Sequence, residues 1–285
     1  MTHTETYVET LKKVLRLGET RDVRNGTTLA LFGEVMEFDL RRGFPLMTCR
    51  ALNVRWPAIE LEWMLQGRSD IDWLQARGIH IWDPWENTLA NRWDLKSMRG
   101  DLGRVYGAQW RHFGQYAGGT DQIRMLLEEM EKNPGSRRLL ISAWSPNELD
   151  DMALPPCHVL FQFWVQDGRL NLIVFQRSMD LPIGGPHDIA QFALLLSAIA
   201  KVMGLCPCML KVVVGDCHVY ANQVEKMKEM LYRDPWLPDP HLEDDGIPTR
   251  EPGEDPFYRL LRFSGEKVKV SGYDPHPAMK LEVSP

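Results

Sequence analysis

The sequence predicts one α+β domain over residues 1–285, a large mixed β-sheet packed with long helices. Three observations lead to that expectation. Stretches 54–66 and 189–203 have the length and apolar content of buried helices, the second being apolar nearly all round. Alternating apolar residues mark several strands, two of them joined by a hairpin turn at Asp167-Gly168. No repeat, low-complexity linker or sharp change in composition divides the chain.

The first predicted element is a helix over Tyr7–Leu17, ended by Gly18. TRDVRNGTTLALFGEVMEFDL follows, and its Asn-Gly and Gly punctuation separates two alternating runs. It reads as strands preceded by an arginine-bearing loop. The helix over Val54–Gln66 carries Glu60 and Glu62, with Pro57 in its first turn. From Gly67 to Gly118 the chain is tryptophan-rich and irregular, as functional loops are. An amphipathic helix over Asp121–Lys132 leads through NPGSRR into a strand, LLISAW. VLFQFWVQDGRLNLIVFQRS is the hairpin, and Ile189–Met203 is the buried helix. MLKVVVGDCHVY is a further strand, with a helix over Ala221–Tyr232 after it. Residues 234–256, rich in Pro, Asp and Glu, read as a surface excursion, and YRLLRFSGEKVKVSGYDPHP returns to strand-like alternation.

Composition excludes several function classes. The chain is 44% apolar and 25% charged, as ordinary globular proteins are, and its net charge of −6 argues against a generic nucleic-acid surface. The N-terminal MTHTETYVETLKKVLRLG mixes acids and bases without an apolar core, so it reads as neither signal nor transit peptide. No run approaches the roughly 18 to 20 apolar residues a membrane helix needs. A cytoplasmic protein with no membrane partner is expected. The five cysteines (Cys49, Cys157, Cys206, Cys208 and Cys217) are odd in number, and Cys206-Pro-Cys208 lacks zinc-knuckle spacing. A reduced chain without a metal site is expected.

Cys157 follows Pro155-Pro156 and precedes His158 at the start of an apolar strand. The prolines keep the strand from starting earlier, which leaves the thiol at an edge or cleft. A buried structural cysteine is the plain reading; a nucleophile needs arginines or a helix N-terminus to stabilise its thiolate. His158 need not be the base, because strand neighbours face opposite ways. Ser136-Arg137-Arg138 before a strand and Arg177-Ser178 at the end of one supply guanidiniums and hydroxyls suited to a phosphate, or to surface ion pairs. Glu60, in an otherwise apolar helix, is expected to be buried, with a raised pKa suited to proton transfer. Asp188, between Gly184-Gly185-Pro186 and the apolar helix, reads either as a helix cap or as a carboxylate facing a ligand.

These motifs together resemble the thymidylate synthase family and its pyrimidine-nucleotide C5-transferase relatives over nearly the whole chain. The matching stretches are LRRGFPLMT, ELEWMLQG, IWDPW, GDLGRVYGAQWR, SRRLLISAW, MALPPCHVLFQF, QRSMD, GDCHVYANQ and GYDPHPAMK. The resemblance implies a thymidylate synthase-like fold with its sheet at a homodimer interface. It also implies 5,10-methylenetetrahydrofolate as one-carbon donor and a pyrimidine nucleoside monophosphate as acceptor. Cys157 would add to C6 of the base, since a pyrimidine C5 is a poor nucleophile until C6 is saturated. By the same resemblance, Arg177 and Ser178 hold the 5′-phosphate, with Arg137 and Arg138 reaching in from the partner subunit. Gln176 lies on the substrate side, and His218 and Tyr220 bind the sugar 3′-hydroxyl. Glu60 relays protons with Tyr106, His158 and water, while Trp82, Asp180 and Gly184 belong to the folate side. The tail near Pro285 closes over the site.

Departures from the family pattern narrow the reading. DVRNGTT is one residue shorter than the synthase phosphate loop, so Arg24 serves as its arginine only with a small shift. Synthases carry Asn where this chain has Asp188. A carboxamide both donates to uracil O4 and accepts from N3–H, whereas a carboxylate lacks the donor and suits the 4-amino group of cytosine. Phage deoxycytidylate hydroxymethylases resemble this chain in that exchange. His187 replaces a Phe that faces the folate, and ELEW resembles the hydroxymethylases more than the synthase ELLW. IWDPW and the near-complete tail are synthase-like. The resulting expectation is a dCMP 5-hydroxymethylase. A dCMP methyltransferase releasing dihydrofolate, a thymidylate synthase acting on dUMP, and a non-catalytic nucleotide-binding protein are its alternatives.

Overall fold

The computed structural model describes residues 1–114, 118–233, 237–249 and 251–282. Helix α1 (His3–Leu17) starts ahead of its apolar stripe because Thr2 and Glu5 close a reciprocal capping box. Strands β1 (Glu19–Val23) and β2 (Gly26–Asp39) form an antiparallel hairpin. The sequence suggested a loop before the first strand. Instead the stretch before the turn is itself a strand, and Arg24 and Asn25 sit at the tip. The two predicted runs after it are one strand, which passes through Gly33 at a φ of +81°.

Helix α2 (Arg55–Leu65) has Pro57 in its first turn, as expected. Among its described residues, the tryptophan-rich region holds three short α-helices, α3 (Ile71–Gln75), α4 (Thr88–Trp93) and α5 (Tyr106–His112). Helix α6 (Gln122–Lys132) is capped by Asp121 and precedes β3 (Leu140–Ser142). Strands β4 (His158–Gln166) and β5 (Arg169–Asp180) meet at Asp167 (φ +51°) and Gly168 (φ +71°), the pair of positive φ values a type I′ turn requires. The buried helix α7 runs over Gly184–Met203, one turn longer at its start than the apolar run indicates, and stops at the left-handed Gly204. Strand β6 (Cys206–Tyr220), helix α8 (Val224–Met230) and strand β7 (His241–Asp244) follow. The strand expected at YRLLRF is helix α9 (Pro256–Leu261), because Asp255 caps it and Pro256 takes its first position. Only β8 (Lys269–Ser271) is extended in that region, and it pairs with β7. Part of the 234–256 excursion and the last residues before Pro285 lie outside the described residues.

The main sheet has six strands in the order β1-β2-β6-β5-β4-β3, antiparallel except at β5–β6. Helix α7 makes the crossover between those two parallel strands and is buried between them and α2. On the opposite face, Leu160, Phe175, Val213 and Val35 lie in register across β4, β5, β6 and β2. This apolar row is uncovered within one chain: Val35 is 54% exposed, and Phe32 and Trp164 are exposed as well.

Helices α2 and α5 cross at Gly107, where an added Cβ would lie 2.7 Å from the Met64 carbonyl oxygen and 2.8 Å from its Cα. Both atoms are backbone and cannot swing aside. Gly107→Ala therefore forces apart the two helices that carry Glu60 and Tyr106. We expect a loss of about 1–3 kcal/mol, read as a lower thermal midpoint. An unchanged midpoint would mean that this crossing is loose.

Candidate active site

Strand register gathers the predicted residues at one end of the sheet. His158 pairs with Gln176 across β4–β5, and Ser178 and Asp180 lie opposite Asp216 and His218 across β5–β6. A register shift between His158 and Leu160 bulges β4 just after Cys157. Gly215 lets β6 pass close to Arg177, since a Cβ there would lie 3.0 Å from the Arg177 carbonyl oxygen.

Cys157 is half-buried on a clamped backbone. Its N–H donates to the Tyr106 hydroxyl at 2.9 Å, and its carbonyl accepts from the Arg177 N–H at 2.9 Å. The Arg177 guanidinium donates to the carbonyls of Pro156 and Pro155, each at 2.9 Å, and so is fixed beside the thiol. Burial pushes the thiol above its ordinary value, Arg177 opposes that, and Asp188 adds to it. Burial also keeps the Tyr106 hydroxyl protonated. His158 stacks on the Tyr106 ring with centroids 4.0 Å apart, and burial pushes its imidazole down to about 3. It is therefore neutral at physiological pH.

Glu60 departs from the sequence expectation. It is buried, but its carboxylate accepts from Trp82 Nε1 at 2.6 Å, His187 Nε2 at 2.7 Å and Gln191 Nε2 at 2.6 Å. Burial alone would raise its pKa; the His187 charge and the three donors outweigh burial and hold it below the usual carboxylate range. His187 moves the other way. Burial lowers it, but Glu60 prevails and keeps the imidazole above its ordinary value. His187 and Glu60 thus stabilise each other's charged form across α7 and α2.

Asp188 does not cap α7. The helix begins at Gly184, which places Asp188 beyond its first turn, and it is the Asp180 carboxylate that accepts from Ile183 N–H at 3.2 Å near the helix start. Asp188 Oδ2 accepts from Gln176 Nε2 at 3.0 Å. Burial pushes its carboxyl up to about 7, with His187 pulling it down and Glu60 pushing it further up. Near neutrality the group is divided between a carboxylate and a carboxylic acid that both donates and accepts.

A half-buried cysteine set beside a fixed arginine, a tyrosine and a buried glutamate is joined here to the Asp188 carboxyl on α7. The family model described as Thymidylate synthase matches residues 5–285. The chain belongs to the thymidylate synthase family. Membership makes it a folate-dependent, nucleotide-modifying enzyme of the transferase type.

The far end of this cluster has its own polar chain. His218 Nδ1 lies 2.9 Å from Asp216, which also holds Arg21, and His218 Nε2 is buried with no partner among the described residues. The His218 ring meets Tyr220 edge-on at 5.1 Å, and the Tyr220 hydroxyl accepts from Asn25 Nδ2 at 2.8 Å. The β1–β2 hairpin tip, Arg24 included, therefore sits beside Tyr220, and Arg24 acts on its hydroxyl electrostatically. Ser178 is half-buried on β5, opposite Asp216 of this chain of contacts.

Trp82 meets Tyr106 edge-on at 5.8 Å and lies on the Glu60 side. Asp180 is bonded to Gln223 at 3.3 Å, and Gln223 also donates to the Glu282 carbonyl at 3.2 Å, which ties the site to the C-terminal segment. Gly184 opens α7 near Asp188; a Cβ on it would lie 3.9 Å from Asp188 Oδ2. Arg137 and Arg138 are exposed before β3, and Arg138 reaches Glu129 at 3.4 Å. No hydrogen bond joins either one to the cluster among the described residues. Sequence reasoning missed Gln191, Arg21, Asp216 and Asn25. Gln191 had a signal: it is a polar residue within an otherwise apolar run.

Proposed function

We propose that the chain hydroxymethylates C5 of dCMP. The observation that carries this reading is the half-buried Asp188 carboxyl, held by Gln176 and pushed up to about 7 by desolvation. In its acid form it donates to cytosine N3 while accepting from the 4-amino group; as a carboxylate it accepts from both the 4-amino group and N3–H once N3 is protonated. Uracil presents N3–H and O4, and against the same arrangement leaves a donor facing a donor. Each buried mismatch costs about 1–3 kcal/mol.

The nucleotide fits the unsatisfied groups of the site. Among the described residues, His218 Nε2 and Gln176 Oε1 are buried without partners, as polar atoms awaiting a ligand are. Arg177, Ser178 and Arg24 form the phosphate end, and His218 with Tyr220 takes the sugar hydroxyl. Cys157 Sγ adds to C6, which makes C5 nucleophilic, and Tyr106 and Arg177 keep the thiol in place for that addition. For 5,10-methylenetetrahydrofolate, the aromatic pair Trp82–Trp85, edge-on at 5.5 Å beside Glu60, supplies surface for a flat heterocycle, with Asp180, Gly184 and His187 around it. When bound, that co-substrate supplies a one-carbon unit at the oxidation level of formaldehyde.

The enzyme is a homodimer in this reading. The in-register apolar row from Leu160 to Val35 supports it, as does the exposure of Arg137 and Arg138, which then complete the partner's phosphate site. A reduced protein of the cytoplasm, or of the host cytoplasm if phage-encoded, fits this chemistry.

Incubation of purified enzyme with dCMP and 5,10-methylenetetrahydrofolate tests the proposal by product mass and absorbance at 340 nm. Hydroxymethyl-dCMP without dihydrofolate is expected, with dUMP turned over far more slowly. A methyl product with stoichiometric dihydrofolate, or a preference for dUMP, would refute it.

A further inference from the structure

Two residues distinguish the surroundings of Glu60. His187 and Gln191, one turn apart on α7, both donate to Glu60 Oε2, at 2.7 and 2.6 Å, while Trp82 occupies Oε1. Fixed donors thereby occupy three of the roughly four acceptor sites of the carboxylate and favour its ionised form over one that carries a proton. The imidazole is bonded through Nε2 alone. Its Nδ1 has no partner among the described residues and is not one of the buried orphan atoms, and the side chain is 19% exposed against 7% for Glu60. A carboxylate that orients an imidazole through one nitrogen, with the other nitrogen open, is the arrangement of a general base and its orienting acid.

We propose that His187 Nδ1 takes the proton from the water that attacks the one-carbon unit, and that Glu60 is its positioning residue. The inference rests on the hydroxymethylase reading and assigns the water step within it. The water oxygen bonds to the exocyclic methylene carbon attached to C5. The methylene π pair moves to C5 and then forms the C5–C6 double bond, and the C6–S bond breaks to release the Cys157 thiolate. The proton lost by water passes to His187 Nδ1. No hydride moves and nothing is oxidised or reduced, so the product is a hydroxymethyl group. Phenylalanine at this position would offer no base and would leave the methylene to a reductant.

The pair also sets a pH dependence. His187 faces Glu60 from α2, Asp188 from its own helix and His158 from β4. His158 is neutral, so the two carboxyl groups dominate and raise the imidazole, Glu60 more than Asp188. The base form is present above the His187 pKa and is lost as pH falls through it. Hydroxymethyl formation therefore rises with pH through a value above that of an ordinary imidazole.

The test combines three measurements. In the free enzyme, NMR titration should place the His187 imidazole above its ordinary value, and Glu60→Gln should lower it. His187→Gln, which keeps a polar side chain, and His187→Phe should each cut hydroxymethyl-dCMP formation by about 10²- to 10⁴-fold and flatten the rise with pH. Release of tritium from [5-³H]dCMP by the wild-type enzyme reports Cys157 addition independently of His187. A wild-type enzyme that releases no tritium and hydroxymethylates no dCMP defeats the dCMP reading itself. A wild-type enzyme that hydroxymethylates dCMP, beside a His187→Gln variant with the same rate and pH profile, overturns the role of His187 alone. An imidazole whose titration ignores Glu60→Gln overturns the role of Glu60.

Discussion

Cys157→Ala should abolish turnover, by on the order of 10⁴-fold or more, while leaving a folded protein that still binds nucleotide. The reason lies in which atoms of Cys157 the fold uses. Its N–H is bonded to Tyr106 and its carbonyl to Arg177, and alanine retains both. The side chain is only half-buried, so its loss opens a small cavity, worth about 1 kcal/mol. Arg177 stays pinned by the carbonyls of Pro155 and Pro156, so the proposed phosphate ligand is undisturbed. Turnover with dCMP, nucleotide binding by calorimetry and the thermal midpoint together check this. If the variant fails to fold, the cysteine is structural; if it turns over, the nucleophile lies elsewhere.

The second large effect belongs to Asp188. Asp188→Asn should raise the dUMP-to-dCMP ratio of kcat/KM by about one to two orders of magnitude, through exchange of the donor and acceptor facing N3 and the 4-position. The carboxamide oxygen still accepts from Gln176 Nε2, so the fold is kept. In the wild type, discrimination should depend on pH. Burial raises the folded pKa of Asp188 to about 7, and the proton it shares with cytosine N3 is available below that value and lost as pH rises through it. The preference for dCMP over dUMP should therefore weaken from pH 6 to pH 8.5, and in Asp188→Asn that trend should vanish. Comparing the two nucleotides cancels the titration of their phosphates. A ratio indifferent both to the substitution and to pH would remove Asp188 from base reading.

Both predictions concern residues that the sequence had already singled out, yet the physical ground for each came from different levels. Pro155-Pro156 before Cys157 fixes the backbone locally, so the constrained thiol is legible in seven residues. The helix cap ascribed to Asp188 was equally plausible from local sequence. It fails because α7 starts at Gly184, with Gly184 and Gly185 accepting helical angles that the apolar periodicity gives no hint of. Glu60 shows the limit most clearly. Burial was readable from its apolar helix, and burial alone raises a carboxylate. The donors that reverse the sign come from Trp82, His187 and Gln191, between 22 and 131 residues away.

The sequence by itself determined the α+β class, the long helices, the β4–β5 hairpin, the family, and the residue types able to act as nucleophile, phosphate ligands and base reader. These follow from periodicity, turn chemistry and motif spacing, which are properties of neighbouring residues. Only the tertiary structure decided the sign of the shifts at Glu60 and Asp188, the bond between His187 and Glu60, and the place of the Arg24 hairpin beside Tyr220. Electrostatic energies depend on distance and on exclusion of water. Neither is defined until α2, α7 and the sheet have packed, and that packing is what turns a list of polar residues into a site.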